Sequence, residues 1–114
     1  MKIAFFAFKG DPLCFIHVLL NALDIQARGG EAKIIFEGEA TRLIAALKGD
    51  KPPWIGLFIE AKSKGLMEGA CRACSTKMGV LMEVEDAGIP FLDEMSGHPG
   101  MARYLDQGFQ IITM

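Results

Sequence analysis

Residues 2–8 read KIAFFAF, and this run limits the folds open to the chain more than any other segment. A strand that is apolar on alternate residues rests one face on a core. A strand that is apolar at every position must be covered on both faces, as in the centre of a parallel sheet. Lys9-Gly10-Asp11-Pro12 ends the run and reads as a helix start, with Asp11 at the N-cap and Pro12 at the first helical position. Residues 13–28 continue as a helix with apolar Ile16, Leu19, Leu20 and Leu23, stopped by Gly29-Gly30.

The strand–helix unit then recurs in kind. Residues 32–36 (AKIIF) predict a second strand, and the spacing of Ala40, Leu43, Ile44 and Leu47 predicts a helix over 39–47. Gly49-Asp50-Lys51-Pro52-Pro53 is a loop, followed by a helix over 54–64. A short strand is expected at 66–71, diluted by Glu68 and Gly69, then a helix over 75–87 ended by Gly88. A strand at 89–92, a helix at 99–107 and a closing strand at 109–113 complete the pattern. Strands separated by helices imply right-handed crossovers. The expected fold is α/β: a three-layer α/β/α sandwich on a mostly parallel five-stranded sheet, in a single domain over residues 1–114. Strand order is not readable from the pattern. Hydrophobic residues at 51% supply a core and exclude disorder.

The charge balance, 12 Lys plus Arg against 14 Asp plus Glu, lacks the basic excess of a nucleic-acid binder. The first apolar run is too short for a signal-peptide core. The stretch 13–25 is interrupted by His17, Asn21 and Asp24, so neither targeting nor membrane insertion is expected. The three cysteines cannot all pair internally, which argues against a disulfide-stapled secreted domain and for a reducing compartment, the cytoplasm.

Ligands of such sheets bind beyond the carboxyl ends of the strands. That rule selects residues 9–14, 37–39, 71–75 and 93–98, and all three cysteines fall within them, as does His98. The sharpest feature is Cys71-Arg72-Ala73-Cys74-Ser75 at a strand–helix junction. A thiol beside the free N–H groups of a helix start is favoured as thiolate, and Arg72 and Lys77 add positive charge. Cys74 is the better-placed nucleophile, with Ser75 behind it to cap the helix. Three chemistries fit the pair: a thioredoxin-like dithiol, a zinc site of Cys14 and His17 with Cys71 and Cys74, and a persulfide carrier. The dithiol lacks the aromatic and proline residues of the thioredoxin motif. The zinc site would take its ligands from a helix that must also bury its apolar stripe.

The remaining features are weaker. No phosphate-binding glycine motif is present, so Glu37 reads as a solvated strand end. His17 reads as a packed helix residue, and the seven methionines as gap fillers. Asp93, Glu94, Ser96 and His98 form either a polar rim to the site or a turn in which Ser96 caps the last helix.

The KIAFFAF strand with its KGDP turn, the IIFEGEA strand end, the CRACSTKMG junction and the closing GFQIITM resemble the DsrE/DsrF-like family. The resemblance implies a five-stranded α/β/α protein of intracellular sulfur relay, assembled as an oligomer. It places the sulfur-accepting cysteine at Cys74, with Cys71 as the other candidate in this turn. Cys14 and Cys71 lie outside the core relay pattern. The expected function is a sulfurtransferase-like persulfide carrier without cofactor or bound metal, served by sulfur donor and acceptor proteins and assembled as a homo-oligomer. Asp11, Cys14, Ser75, Lys77 and His98 are its expected site rim. A Cys/His metal protein and a non-catalytic oligomeric binding module are the alternatives.

Overall fold

The computed structural model describes residues 1–114. Strands β1 (Lys2–Ala7), β2 (Glu31–Phe36), β3 (Met67–Cys71), β4 (Phe91–Leu92) and β5 (Gln110–Thr113) form one sheet in the order β4-β3-β2-β1-β5. Every pairing is parallel, so the sheet is parallel throughout. As its composition requires, β1 is central between β2 and β5. Ile3, Phe5 and Ala7 enter one core, and Ala4 and Phe6 enter another on the opposite face.

Strand order decides how the helices are shared between the faces. From β1 to β4 the chain steps in one direction across the sheet. Right-handed crossovers therefore put α1 (Pro12–Ala27), α2 (Thr41–Ala45), α3 (Ile55–Ser63), α4 (Arg72–Lys77) and α5 (Leu81–Asp86) on one side. The return from β4 to β5 runs the other way and carries α6 (Ala102–Asp106) over the second face. The first core has 21 buried residues and the second only five, with Phe6 edge-on to Tyr104 at 5.8 Å. The two faces are thus covered unequally.

The second face is held partly by polar contacts. Glu68 on β3 accepts from Lys33 (3.0 Å), Arg103 (3.0 Å) and the Tyr104 hydroxyl (2.8 Å). The residue that weakened the β3 pattern is therefore the anchor of α6. Gly69 is also explained: a Cβ there would lie 2.6 Å from Leu92 and 2.8 Å from the Pro90 carbonyl, so only glycine lets β4 approach β3.

Several predicted elements are shorter or divided. The helix expected over 39–47 is a 3-10 turn at Gly38–Ala40, then α2, then a second 3-10 turn at Ala46–Lys48. The helix expected over 75–87 begins at Arg72 and is divided into α4 and α5 at Gly79, where φ is +72°. Helical periodicity continues across this break, which hides it from a pattern reading. β4 keeps two residues because Pro90 has no N–H to pair, although its carbonyl accepts from Ala70 N–H at 2.9 Å. The predicted start of α1 is found as expected: Asp11 Oδ1 accepts from Leu13 N–H at 2.9 Å.

Candidate thiol–imidazole site

The register of β2, β3 and β4 assembles the site. Phe36 pairs with Ala70, and Cys71 pairs with Leu92, so Glu37 and Cys71 lie side by side at the carboxyl edge. His98 arrives from the loop after β4. That loop folds back on itself: Gly97 N–H donates to Asp93 C=O (3.1 Å), and Met95 and His98 exchange backbone hydrogen bonds of 2.8 and 2.9 Å. The Gly97 carbonyl accepts from Ala73 N–H at 2.8 Å, which fastens the loop to the first turn of α4. Gly97 has φ +91°, and a Cβ on it would stand 3.2 Å from Ala73 Cβ, so glycine is required at this contact.

Four side chains converge. The ligand-type atoms of Glu37, Cys71, Cys74 and His98 all lie within 4.8 Å of one another. His98 Nδ1 is 3.1 Å from Cys71 Sγ and 3.9 Å from Cys74 Sγ. Cys71 has no accessible surface, whereas Cys74 and His98 are half-buried. All three cysteines are free thiols.

The electrostatics of the two thiols differ from expectation. Cys71, not Ser75, is the N-cap of α4: its Sγ accepts the Cys74 N–H at 3.3 Å. Ser75 is buried and donates its hydroxyl to the Cys71 carbonyl at 2.7 Å. The helix start therefore has its Ala73 and Cys74 N–H groups occupied, by Gly97 and by Cys71 sulfur. It is also six residues long, and it does not present Cys74 with free donors. Burial pushes the Cys71 thiol up to about 12; the Cys74 N–H bond pulls it down but does not prevail. Cys71 is thus a neutral thiol near neutral pH. Glu37, expected to be solvated, is 7% exposed, and burial alone pushes its carboxyl up to about 7. Its side chain does not cap the 3-10 turn that follows.

The other predicted rim residues stand apart from this cluster. Asp11 is exposed and engaged in capping α1. Cys14 is half-buried in the first turn of α1, and His17 is exposed rather than packed. Neither contributes to the four-residue group, so the Cys14–His17 metal arrangement is not formed. Lys77 ends α4 on the exposed surface. Ser96, in a turn with φ +50°, lies six residues before α6 and does not cap it. Glu37 was the residue missed. Its position directly after β2, on the selected edge, was the available signal.

No family model matches the chain. It is 31% identical over 120 residues to the uncharacterized protein MJ0733 of Methanocaldococcus jannaschii, an alignment spanning 100% of this chain and 96% of that protein. An uncharacterized protein of Archaeoglobus fulgidus is 45% identical over 40 residues, 35% of this chain and 66% of that one. Among solved structures, the conserved protein of unknown function BT1422 from Bacteroides thetaiotaomicron superposes with a TM-score of 0.68 at 20% identity, covering 99% of this chain and 95% of that chain. That likeness is one of fold.

Proposed function

This chain belongs to the family of the Methanocaldococcus jannaschii protein MJ0733, and we propose, from the site's geometry, that it is a sulfur-relay protein in which Cys74 carries a sulfane sulfur. The observation that carries the reading is the unequal placement of two thiols around one imidazole. Cys74 is reachable and 3.9 Å from His98 Nδ1; Cys71 is sealed and 3.1 Å from the same nitrogen. The resemblance to the DsrE/DsrF-like family, whose sulfur-accepting cysteine falls at Cys74, supports the same assignment.

The chemistry is two displacements. His98 takes the Cys74 proton, and the thiolate attacks the outer sulfur of a donor persulfide. A new S–S bond forms, the donor's own S–S bond breaks, and the donor leaves as a thiolate. An acceptor thiolate then attacks the outer sulfur on Cys74 and restores the Cys74 thiolate. No net oxidant or reductant is consumed. Cys71 remains protonated and gives the inner face of the site a neutral wall. Exposed Leu13 (72%) and Met95 (55%) follow β1 and β4 on the same edge, which favours protein donors and acceptors, or a second copy of the chain, against the site. A reduced Cys74 suits a cytoplasmic setting. No helix is long and apolar enough to cross a membrane.

Incubation with an inorganic polysulfide followed by intact-protein mass spectrometry tests the reading. The native chain gains about one sulfur mass and releases it to an added thiol. Cys74→Ser does not gain it. Equal sulfur uptake by native and Cys74→Ser protein overturns the assignment.

A further inference from the structure

Glu37 has no place in the sulfur displacement just described. It is a residue more than nine-tenths buried that forms no salt bridge, its carboxyl grouped with two thiols and an imidazole. Removing a carboxylate from water without a compensating partner is unfavourable, and a second acidic group beside it compounds the cost. Cys71, fully buried, is that second group. The base that faces Glu37 and Cys71 is the His98 imidazole, and no Lys or Arg side chain pairs with Glu37.

We propose that Glu37, Cys71, Cys74 and His98 form a four-ligand site for a single zinc ion. The donor set of two sulfurs, one imidazole nitrogen and one carboxylate oxygen matches a borderline-soft divalent cation, whereas magnesium or calcium selects oxygen donors. The spacing fits as well. Zinc bond lengths place the ligand atoms of a tetrahedron about 3.3–3.8 Å apart. The two sulfur–nitrogen separations here are 3.1 and 3.9 Å, and no pair in the group exceeds 4.8 Å. The widest pair would have to draw in by up to about 1 Å to reach a tetrahedron's edge.

Outer contacts already orient the ligands. Cys71 Sγ accepts the Cys74 N–H, the kind of hydrogen bond that stabilises a metal-bound thiolate. The Ala73–Gly97 bond fixes the His98 loop against α4. Zinc entry makes two Zn–S bonds, one Zn–N bond and one Zn–O bond. The thiol protons, and any proton on Glu37, leave to solvent. Because Cys74 is the nucleophile of the sulfur-relay reading, on which this part of the inference rests, zinc and sulfane sulfur compete for one thiol. The loaded site is the silenced form of the relay.

The test uses the full-length reduced protein, stripped of metal with a chelator and titrated with Co²⁺ and then Zn²⁺. The expected result is one Co²⁺ bound per chain with thiolate-to-cobalt absorbance, and its displacement by Zn²⁺. Glu37→Gln and His98→Ala, checked for native circular dichroism, weaken binding more than about tenfold, the scale of even an outer-shell change at such sites. His17→Ala binds as the native chain does. Absence of a saturable one-to-one cobalt spectrum overturns the zinc site, as does native affinity in folded Glu37→Gln. Sulfur uptake is then measured with and without Zn²⁺. Uptake by metal-free protein that Zn²⁺ abolishes supports the competition, and uptake undiminished by bound Zn²⁺ overturns it. Zinc binding without any sulfur uptake leaves the site standing and defeats the relay reading alone.

Discussion

Replacing Glu68 by Gln should loosen the thin face of the molecule and, through it, the loop that holds His98. Glu68 is the shared acceptor of Lys33, Arg103 and the Tyr104 hydroxyl, at 3.0, 3.0 and 2.8 Å. Arg103 in turn reaches Glu94 at 3.2 Å, and Glu94 accepts the Gly100 N–H at 3.1 Å, so the network extends into the site loop. Gln keeps the size and one acceptor but loses the charge. A buried charge-assisted hydrogen bond contributes about 1.5–3 kcal/mol, and an exposed ion pair about 0–1. Glu68 and Lys33 side chains are 19% and 26% exposed, and Arg103 is 40% exposed. The Lys33 arm is therefore assigned about 1 kcal/mol and the screened Arg103 arm about half of that, while the Tyr104 bond survives on the amide oxygen. The expected loss is about 1.5 kcal/mol, or about 6 °C in Tm for a domain of this size.

The pH dependence identifies the cause. Burial alone would raise the Glu68 carboxyl, but hydrogen bonds from Lys33 and Tyr104, the Lys33 charge and the Arg103 hydrogen bond hold it below its ordinary value of 4.5. A depressed carboxyl contributes stability above its unfolded value and loses it as pH falls through the folded one. The deficit of Glu68→Gln should therefore be full at pH 7 and shrink only below about pH 4.5, as native Glu68 takes up a proton. Urea denaturation of both proteins from pH 7 downward measures it. A deficit under about 0.5 kcal/mol at pH 7, where unremarkable surface changes fall, refutes the reasoning. A deficit that persists undiminished once native Glu68 is protonated refutes it too.

Two further outcomes follow from the site. Gly97→Ala forces a side chain into φ +91° and toward Ala73, and should cost about 1–3 kcal/mol in urea denaturation. The same change should weaken cobalt binding through displacement of His98, and unchanged stability would show that the loop adjusts freely. In the metal-free native protein, iodoacetamide should label Cys74 promptly and leave Cys71 unmodified from pH 7 to pH 9. Cys71 has no accessible surface and its thiol is pushed up to about 12. Peptide mapping that finds Cys71 labelled as fast as Cys74 contradicts the assigned roles.

Much of the fold was legible because it is local chemistry. A strand apolar at every position has to be central, Asp11-Pro12 has to start a helix, and glycines end most of the helices that follow. The carboxyl-edge rule also pointed to Cys71, Cys74 and His98 before any contact was known. What pattern reading missed has a common cause. Gly79 divides a helix whose periodicity continues across it, and Glu68 looks like a flaw in a strand until α6 is packed against it.

The sequence alone determined the strand–helix alternation, the central position of β1 and the gathering of thiols at one end of the sheet. Side-chain period and capping chemistry act over a few residues and can be read from neighbours. Tertiary structure decided the strand order, the unequal covering of the two faces, and the unequal burial of Cys71 and Cys74. It also drew Glu37 out of solvent into the thiol cluster, leaving Cys14 and His17 on α1 outside it. Those outcomes depend on register between strands whose paired residues lie 21 or more apart in sequence. Burial, which sets the charge state of a thiol or a carboxyl, exists only once those strands have met.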